Sequence, residues 1–151
     1  MINIERCFDA DEINRILQKP SIAKFINDDL SHGCVISDAS QAHWVGVYKQ
    51  GMCVGVFLLV QHNSVTVEMH TALDLRGSEA LHAARLLMQY VFKDYQKLVT
   101  QVPISNRMAK LMAVRLGFVV EGINRESFLI NGKLIDQDIL GITKKEYELC
   151  Q

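Results

Sequence analysis

The sequence has no excess of charge of either sign and no apolar run long enough to cross a membrane. It contains 16 basic and 17 acidic residues, which gives a net charge of −1 over 151 residues. Proteins that coat nucleic acid or anionic lipid need a basic excess, because their affinity depends on neutralising phosphates. The longest apolar run, Met52–Val60, is about half the length of a membrane-spanning helix. We therefore expect that the protein does not span a membrane, and nucleic acid is disfavoured as its partner.

Disulfide and metal-binding patterns are also missing. The four cysteines lie far apart and form no C-x-x-C pair: Cys7, Cys34, Cys53 and Cys150. The five histidines show neither H-x-x-x-H nor H-E-x-x-H spacing, so a zinc site has little support. Asp136 and Asp138 share one face of a strand, and we interpret them as a solvated edge. We expect reduced thiols and no metal. The N-terminus lacks the layout of a secretion signal, so we also expect a cytoplasmic protein.

The first third of the chain predicts one strand followed by two short helices. No linker, repeat or low-complexity tract interrupts the sequence, so we expect a single domain over residues 1–151. The strand Ile2–Phe8 precedes a helix that Asp9 or Asp11 caps and that Pro20 interrupts. The second helix is expected to direct three apolar residues inward before a turn-rich stretch ends it: Ile22, Phe25 and Ile26, then Asn27–Gly33.

Three strand signals then follow in close succession. His43–Lys49, Met52–Gln61 and Val65–Leu73 are separated by the short turns Gln50-Gly51 and His62-Asn63-Ser64. Such short polar or glycine-containing connections predict an antiparallel meander. The middle strand is apolar on both faces from Val54 to Val60, so it should lie inside the sheet with helices on each side.

The second half predicts two helices, a strand and a final hairpin. From Ser78 the polar residues recur every three or four positions, which is typical of a helix with a wide buried face. A strand, Lys97–Val102, and a helix capped by Ser105 or Asn106 follow, and Gly117 ends that helix. Phe118–Ile130 and Lys133–Thr143 pair around Asn131-Gly132. The predicted fold class is α+β, in the order β-α-α-β-β-β-α-β-α-β-β, with one mixed, mostly antiparallel sheet flanked by helices.

The join between the third meander strand and the helix from Ser78 is the most informative segment. It reads Leu73-Asp74-Leu75-Arg76-Gly77-Ser78-Glu79-Ala80-Leu81. A strand that turns tightly into a helix directs free backbone N–H groups and the positive end of the helix dipole at one point, and Arg76 adds a charge. These features indicate an anion site. The alternative is that Gly77 and Ser78 only make the turn and the cap.

Motifs in the last third resemble those of the GNAT N-acetyltransferase superfamily, which binds acetyl-CoA. The helix Asn106-Arg107-Met108-Ala109, followed by Leu116-Gly117-Phe118, is similar to the family's N-x-x-A and L-G-F motifs. The closing hairpin is similar to that of the ribosomal-protein N-acetyltransferase branch at Glu121-Gly122, Arg125, Asn131-Gly132-Lys133, Asp136 and Thr143–Tyr147. The spacing E-x-H-T, R-G and A-x-x-A also resembles divergent GNAT-like proteins encoded by bacteriophages. The resemblance spans nearly the whole chain.

The resemblance implies a binding site for acetyl-CoA as co-substrate. By analogy with the family, the strand containing Thr71 and Leu73 would pair with the pantetheine, and the pyrophosphate would bind at Arg76, Gly77, Ser78, Glu79, Ala80 and Leu81. Asn106 corresponds to the asparagine that contacts the pantetheine arm, although it would equally well cap its own helix. Glu79 and Leu81 depart from the small residues that the family prefers, and a carboxylate at position 79 would repel phosphates unless it points away.

Glu68 and His70 are the candidate catalytic residues. They lie two apart on one strand and so face the same side. The reaction implied by the resemblance needs a base for the amine, so either residue could be the base, or one the base and the other its orienter. The alternative is a polar pair that faces solvent. The tyrosine that many family members use as the acid is replaced here by Ala113.

Two functional hypotheses remain. The first is an N-acetyltransferase that moves acetyl from acetyl-CoA to an amine of a protein or small molecule by direct attack. The second is a catalytically inactive GNAT-fold protein in bacteriophage assembly or host interaction, which Glu79, Leu81 and Ala113 favour. Formation of a homodimer through the closing hairpin stays open in both hypotheses.

Overall fold

The computed structural model describes residues 1–31 and 35–151. Cys34, and the predicted turn at residues 32 and 33, lie outside the described residues. The strands are β1 (Ile2–Arg6), β2 (His43–Lys49), β3 (Met52–Gln61), β4 (Thr66–Leu73), β5 (Lys97–Pro103), β6 (Val119–Ile130) and β7 (Lys133–Thr143). The helices are α1 (Ala10–Leu17), α2 (Pro20–Ile26), α3 (Gly77–Val91), α4 (Arg107–Arg115) and α5 (Lys144–Leu149), with a 3₁₀ turn at Ala39–Gln41.

The strands form one seven-stranded sheet in the order β1-β2-β3-β4-β5-β7-β6. The pairing of β4 with β5 is parallel, and the other neighbouring pairs are antiparallel. This confirms the predicted α+β class, the mixed sheet and the order of elements. Both two-residue turns adopt the left-handed backbone that tight hairpins need, at Gln50-Gly51 and at Asn131-Gly132.

Helices cover the sheet on both faces. One core contains the inner side of α3 with Val45, Phe57 and Leu140, and the other contains α1 with Trp44 and Val56. β3 contributes to both cores, as predicted for a strand that is apolar on both faces. Full burial of one side chain of this size is worth about 2–3 kcal/mol, so these two cores hold both helical layers against the sheet.

The N-termini of the helices differ in whether a side chain caps them, and this difference matters for the site. Asp9 caps α1, Asn106 caps α4 through the Ala109 amide (3.2 Å), and Thr143 forms a capping box with Glu146 at α5. Arg76, which precedes α3, makes no side-chain cap.

Within the described residues, no helix is long and apolar enough to span a membrane.

Two expectations about individual residues were wrong. Phe25 is 47% exposed and not part of a core, because it lies on the side of α2 that faces β6 and lines a cavity there. Asp138 is 7% exposed and not at a solvated edge. β7 lies between β5 and β6, and Lys110 of α4 pairs with Asp138 across 2.9 Å.

Candidate active site

β4 and β5 diverge along their length and leave a wedge in the sheet. Their register pairs Thr66–Glu68 with Lys97–Val99 and ends there. β4 continues alongside β3 to Leu73, and β5 continues alongside β7 to Pro103. The Thr100 hydroxyl donates to the Met69 carbonyl (3.2 Å) at the point of divergence. Beyond that point the facing strand edges are free of ladder pairing, and α3 and α4 both begin at the open end of the wedge.

The first turn of α3 offers backbone donors at this open end. Gly77 has φ +57°, and a side chain added there would meet nothing within 4 Å. In the described part of the chain, the amides of Gly77, Ser78 and Glu79 have no acceptor on the protein. Free N–H groups at the positive end of a helix form an anion-binding arrangement. These three amides are therefore unobstructed, as the predicted anion site requires.

The two residues that departed from the family pattern do not cover these amides. Glu79 Oε1 lies 2.7 Å from Lys49 Nζ. Because β3 separates the Lys49 strand from β4, this ion pair directs the carboxylate away from the wedge. Leu81 is half-buried and packs against the α3-side core. The repulsion expected from a carboxylate at position 79 is thus reduced by its orientation and by Lys49.

Glu68 and His70 lie where the wedge begins, and a third residue joins them. Glu68 is the last residue of β4 in the parallel ladder and is 8% exposed. His70 Nε2 is 3.2 Å from Glu68 Oε1, and His62 Nε2 hydrogen-bonds to Glu68 Oε2 at 2.7 Å. The alternative of a pair that simply faces solvent is wrong for Glu68, since its carboxylate is nearly enclosed. The sequence analysis did not identify His62. Its position in the turn before the strand that carries Glu68 was the signal that could have pointed to it.

The remaining candidate cofactor residues divide between the wedge and the core. Thr71 and Leu73 are half-buried on the diverging part of β4, and the Leu73 side chain packs against the α3-side core. Only the backbone of Leu73 can therefore serve a ligand in the wedge. Ala80 is buried within α3, so it too contributes backbone alone. Ala113, where the family tyrosine is missing, is also buried at 3% exposure.

A cavity of about 200 Å³ lies beside Asn106, between α2, the start of α4 and β6. Its lining is Lys24, Phe25, Ser105, Asn106, Phe128 and Ile130. Asp29 ties its two sides together: its carboxylate accepts from the amides of Asn131 (2.9 Å) and Gly132 (2.7 Å), and its own amide donates to Leu129. The sequence provided no local signal for this cavity, because its walls come from segments about a hundred residues apart.

Comparison with solved structures defines the class of fold. The spermidine N-acetyltransferase from Vibrio cholerae, crystallised with CoA and spermine, matches with a TM-score of 0.80 and 17% identity over 97% of this chain and 98% of that one. An N-acetyltransferase from Staphylococcus aureus Mu50 gives 0.74 and 18% over 95% and 97%. A GNAT-family acetyltransferase from Streptococcus pneumoniae gives 0.76 and 14% over 95% and 99%. The chain therefore has the GNAT acetyltransferase fold, as the sequence resemblance predicted.

The family assignment is more specific. Residues 9–150 match the model of the family described as protein of unknown function DUF2824. The chain belongs to this family. No curated protein matches it.

Proposed function

We propose that this protein is an acetyl-CoA-dependent N-acetyltransferase that acts on an amine of a protein or small molecule. The observation that carries the proposal is the β4–β5 wedge, which opens at an uncapped helix start and has an enclosed carboxylate at its narrow end. In the similar Vibrio cholerae enzyme, CoA and spermine are present in the crystal. The place of action would be the cytoplasm, where acetyl-CoA is available.

The residues at the open end fit the charged part of acetyl-CoA. The amides of Gly77, Ser78 and Glu79 would receive the pyrophosphate, with Arg76 adding a positive charge. The free edge of β4 from Thr71 to Leu73 would pair with the pantetheine amides. Asn106 uses Oδ1 to cap α4, which leaves its side-chain NH₂ for the same arm. Acetyl-CoA would supply the acetyl group as an activated thioester.

Glu68 and His70 would manage the proton of the acceptor amine. A protonated amine has no lone pair, so the base must remove a proton before the new C–N bond forms. His70 Nε2 lies 3.2 Å from Glu68 Oε1 and the side chain is half-exposed, so Nδ1 would be the nitrogen available to the amine. The carboxylate would orient the ring and stabilise the imidazolium that forms. With alanine at position 113, the proton for the departing thiolate is expected from solvent.

Calorimetry with acetyl-CoA tests the proposal directly. We expect micromolar binding by the unmodified protein and at least a tenfold loss (about 1.4 kcal/mol or more) in Gly77→Asp, because the new carboxylate would stand beside the phosphates. Gly51→Asp is the matched control. Gly51 also has a positive φ and open space around its Cβ position, but it lies in the β2–β3 turn. Binding no tighter than millimolar by the unmodified protein would refute the enzymatic proposal.

A second candidate function is partner binding without catalysis, as in a bacteriophage assembly or host-interaction protein. The observation that favours it is a row of exposed apolar side chains on and before α4: Ile104, Met108, Leu111 and Val114. Such a patch is typical of an interaction surface. Light scattering and pull-down from the producing cell would detect a partner or homodimer. Acetyl-CoA turnover by the isolated protein would argue against an inactive role.

A further inference from the structure

His62 makes the shortest contact to the Glu68 carboxylate, and it has no role in the reaction proposed above. Its Nε2 lies 2.7 Å from Glu68 Oε2, whereas His70 approaches the other oxygen at 3.2 Å. The Glu68 side chain is 11% exposed, and the side chains of His62 and His70 are 42% and 54% exposed. A carboxylate can only accept hydrogen bonds when it is ionised, and His62 Nε2–H is then the donor. The carboxylate is therefore shared between two rings.

The β3–β4 turn holds His62 in this position. The His62 amide donates to the Thr66 carbonyl (3.0 Å), and Asn63 Oδ1 accepts from the amides of Val65 and Thr66 at 2.9 Å each. Val60 is opposite Glu68 in the register, which places His62 diagonally across from Glu68 on one face of the hairpin. Because these bonds fix the turn backbone, only the His62 side chain loses freedom when it binds the carboxylate.

We infer that His62 is a positioning residue that acts through Glu68 to set the orientation of His70, an inference that rests on the proposed transferase function. Its hydrogen bond stops rotation of the carboxylate, so Oε1 stays directed at His70. With the carboxylate held, His70 can present the same ring nitrogen to the acceptor amine, which proton transfer requires.

The other charged groups nearby do not share this role. On β4 itself, Glu68 contacts His70, and the β3–β4 turn contributes His62. β3 places Val60 opposite Glu68, and β5 places Val99 there. The charged residue of β5, Lys97, is paired with Glu121. The two histidines are therefore the ionisable partners of this carboxylate among the described residues.

NMR of the histidine ring nitrogens at one fixed pH tests the inference without any need for activity. In His62→Ala the carboxylate is no longer held, and we expect the ring signals of His70 to move because its two tautomers mix more freely. In Glu68→Gln, the ring signals of both His62 and His70 should move. His82→Gln is the matched control, since His82 is exposed on α3. Unchanged His70 ring signals in His62→Ala would overturn the inference.

Kinetics add a second readout that a merely structural role would not move. With acetyl-CoA and an accepted amine, His62→Ala should lose about tenfold in kcat at unchanged KM for acetyl-CoA, because the carboxylate is no longer held. His62→Gln keeps a neutral donor and should recover part of this loss. Equal kcat in all three proteins would contradict the positioning role. Absence of turnover in the unmodified protein would instead refute the proposed function, and the NMR result would still decide the coupling.

Discussion

Replacing Glu79 by glutamine is expected to tighten acetyl-CoA binding, although the substitution breaks an ion pair. The pair with Lys49 has side chains 38% and 44% exposed, so its loss should cost less than about 1 kcal/mol of stability. In water-like surroundings two unit charges about 4 Å apart interact by about 1 kcal/mol, and by less at longer range, so Glu79 would oppose the two phosphate charges by about 1 kcal/mol in all. This corresponds to a change of several-fold in Kd. Lys49→Ala should weaken binding by a similar factor, because it removes a cation and frees Glu79.

Calorimetry on the two single variants and the double variant would measure this coupling. We expect Glu79→Gln to bind more tightly than the unmodified protein, Lys49→Ala to bind less tightly, and Lys49→Ala/Glu79→Gln to lie between them. All differences should shrink at 1 M salt, where the Debye length is about 3 Å. Urea denaturation of each variant separates binding from folding. Equal or weaker binding by Glu79→Gln at low salt would refute the argument that residue 79 opposes the phosphates.

Two further predictions concern stability. Lys110→Met should lower the free energy of unfolding in urea by about 1–3 kcal/mol, because it leaves the Asp138 carboxylate buried without its partner. The double variant Asp138→Asn/Lys110→Met should recover part of this loss. If the losses of the two single variants simply add in the double variant, the explanation is contradicted. His43 has a pKa lowered from 6.5, mainly by burial and also by Arg6. The unfolded chain therefore takes up this proton first, and stability is lost as pH falls through about 6.5. His43→Gln should flatten the decline in urea midpoint between pH 8 and 5; an unchanged slope would exclude His43 as its source.

The features that depend on local sequence were predictable. The polar spacing along α3, the turns at Gln50-Gly51 and Asn131-Gly132, and the left-handed stop at Gly117 (φ +98°) follow from neighbouring residues alone. Pairing of Glu68 with His70 on one strand face also needs only the period of two.

The features that depend on long-range placement were not predictable. Asp138 is buried because β7 is inserted between β5 and β6. The hairpin pattern predicts that β6 pairs with β7, but it does not indicate which of the two lies next to β5. The Lys49 partner of Glu79 comes from thirty residues away, so the orientation of that carboxylate required the strand order. The contact of His62 with Glu68 required the register of the four-residue turn between β3 and β4. In each case the missing information was tertiary rather than local.

The bridge made by Asp29 has a consequence for how the chain tolerates change. One carboxylate joins the end of the α2 segment to the β6–β7 hairpin tip, so the two walls of the cavity beside Asn106 shift together. Lengthening the hairpin by one residue would displace Phe25 as well as Phe128, so both walls of the cavity would change shape. Variation in either segment is thereby constrained by the other.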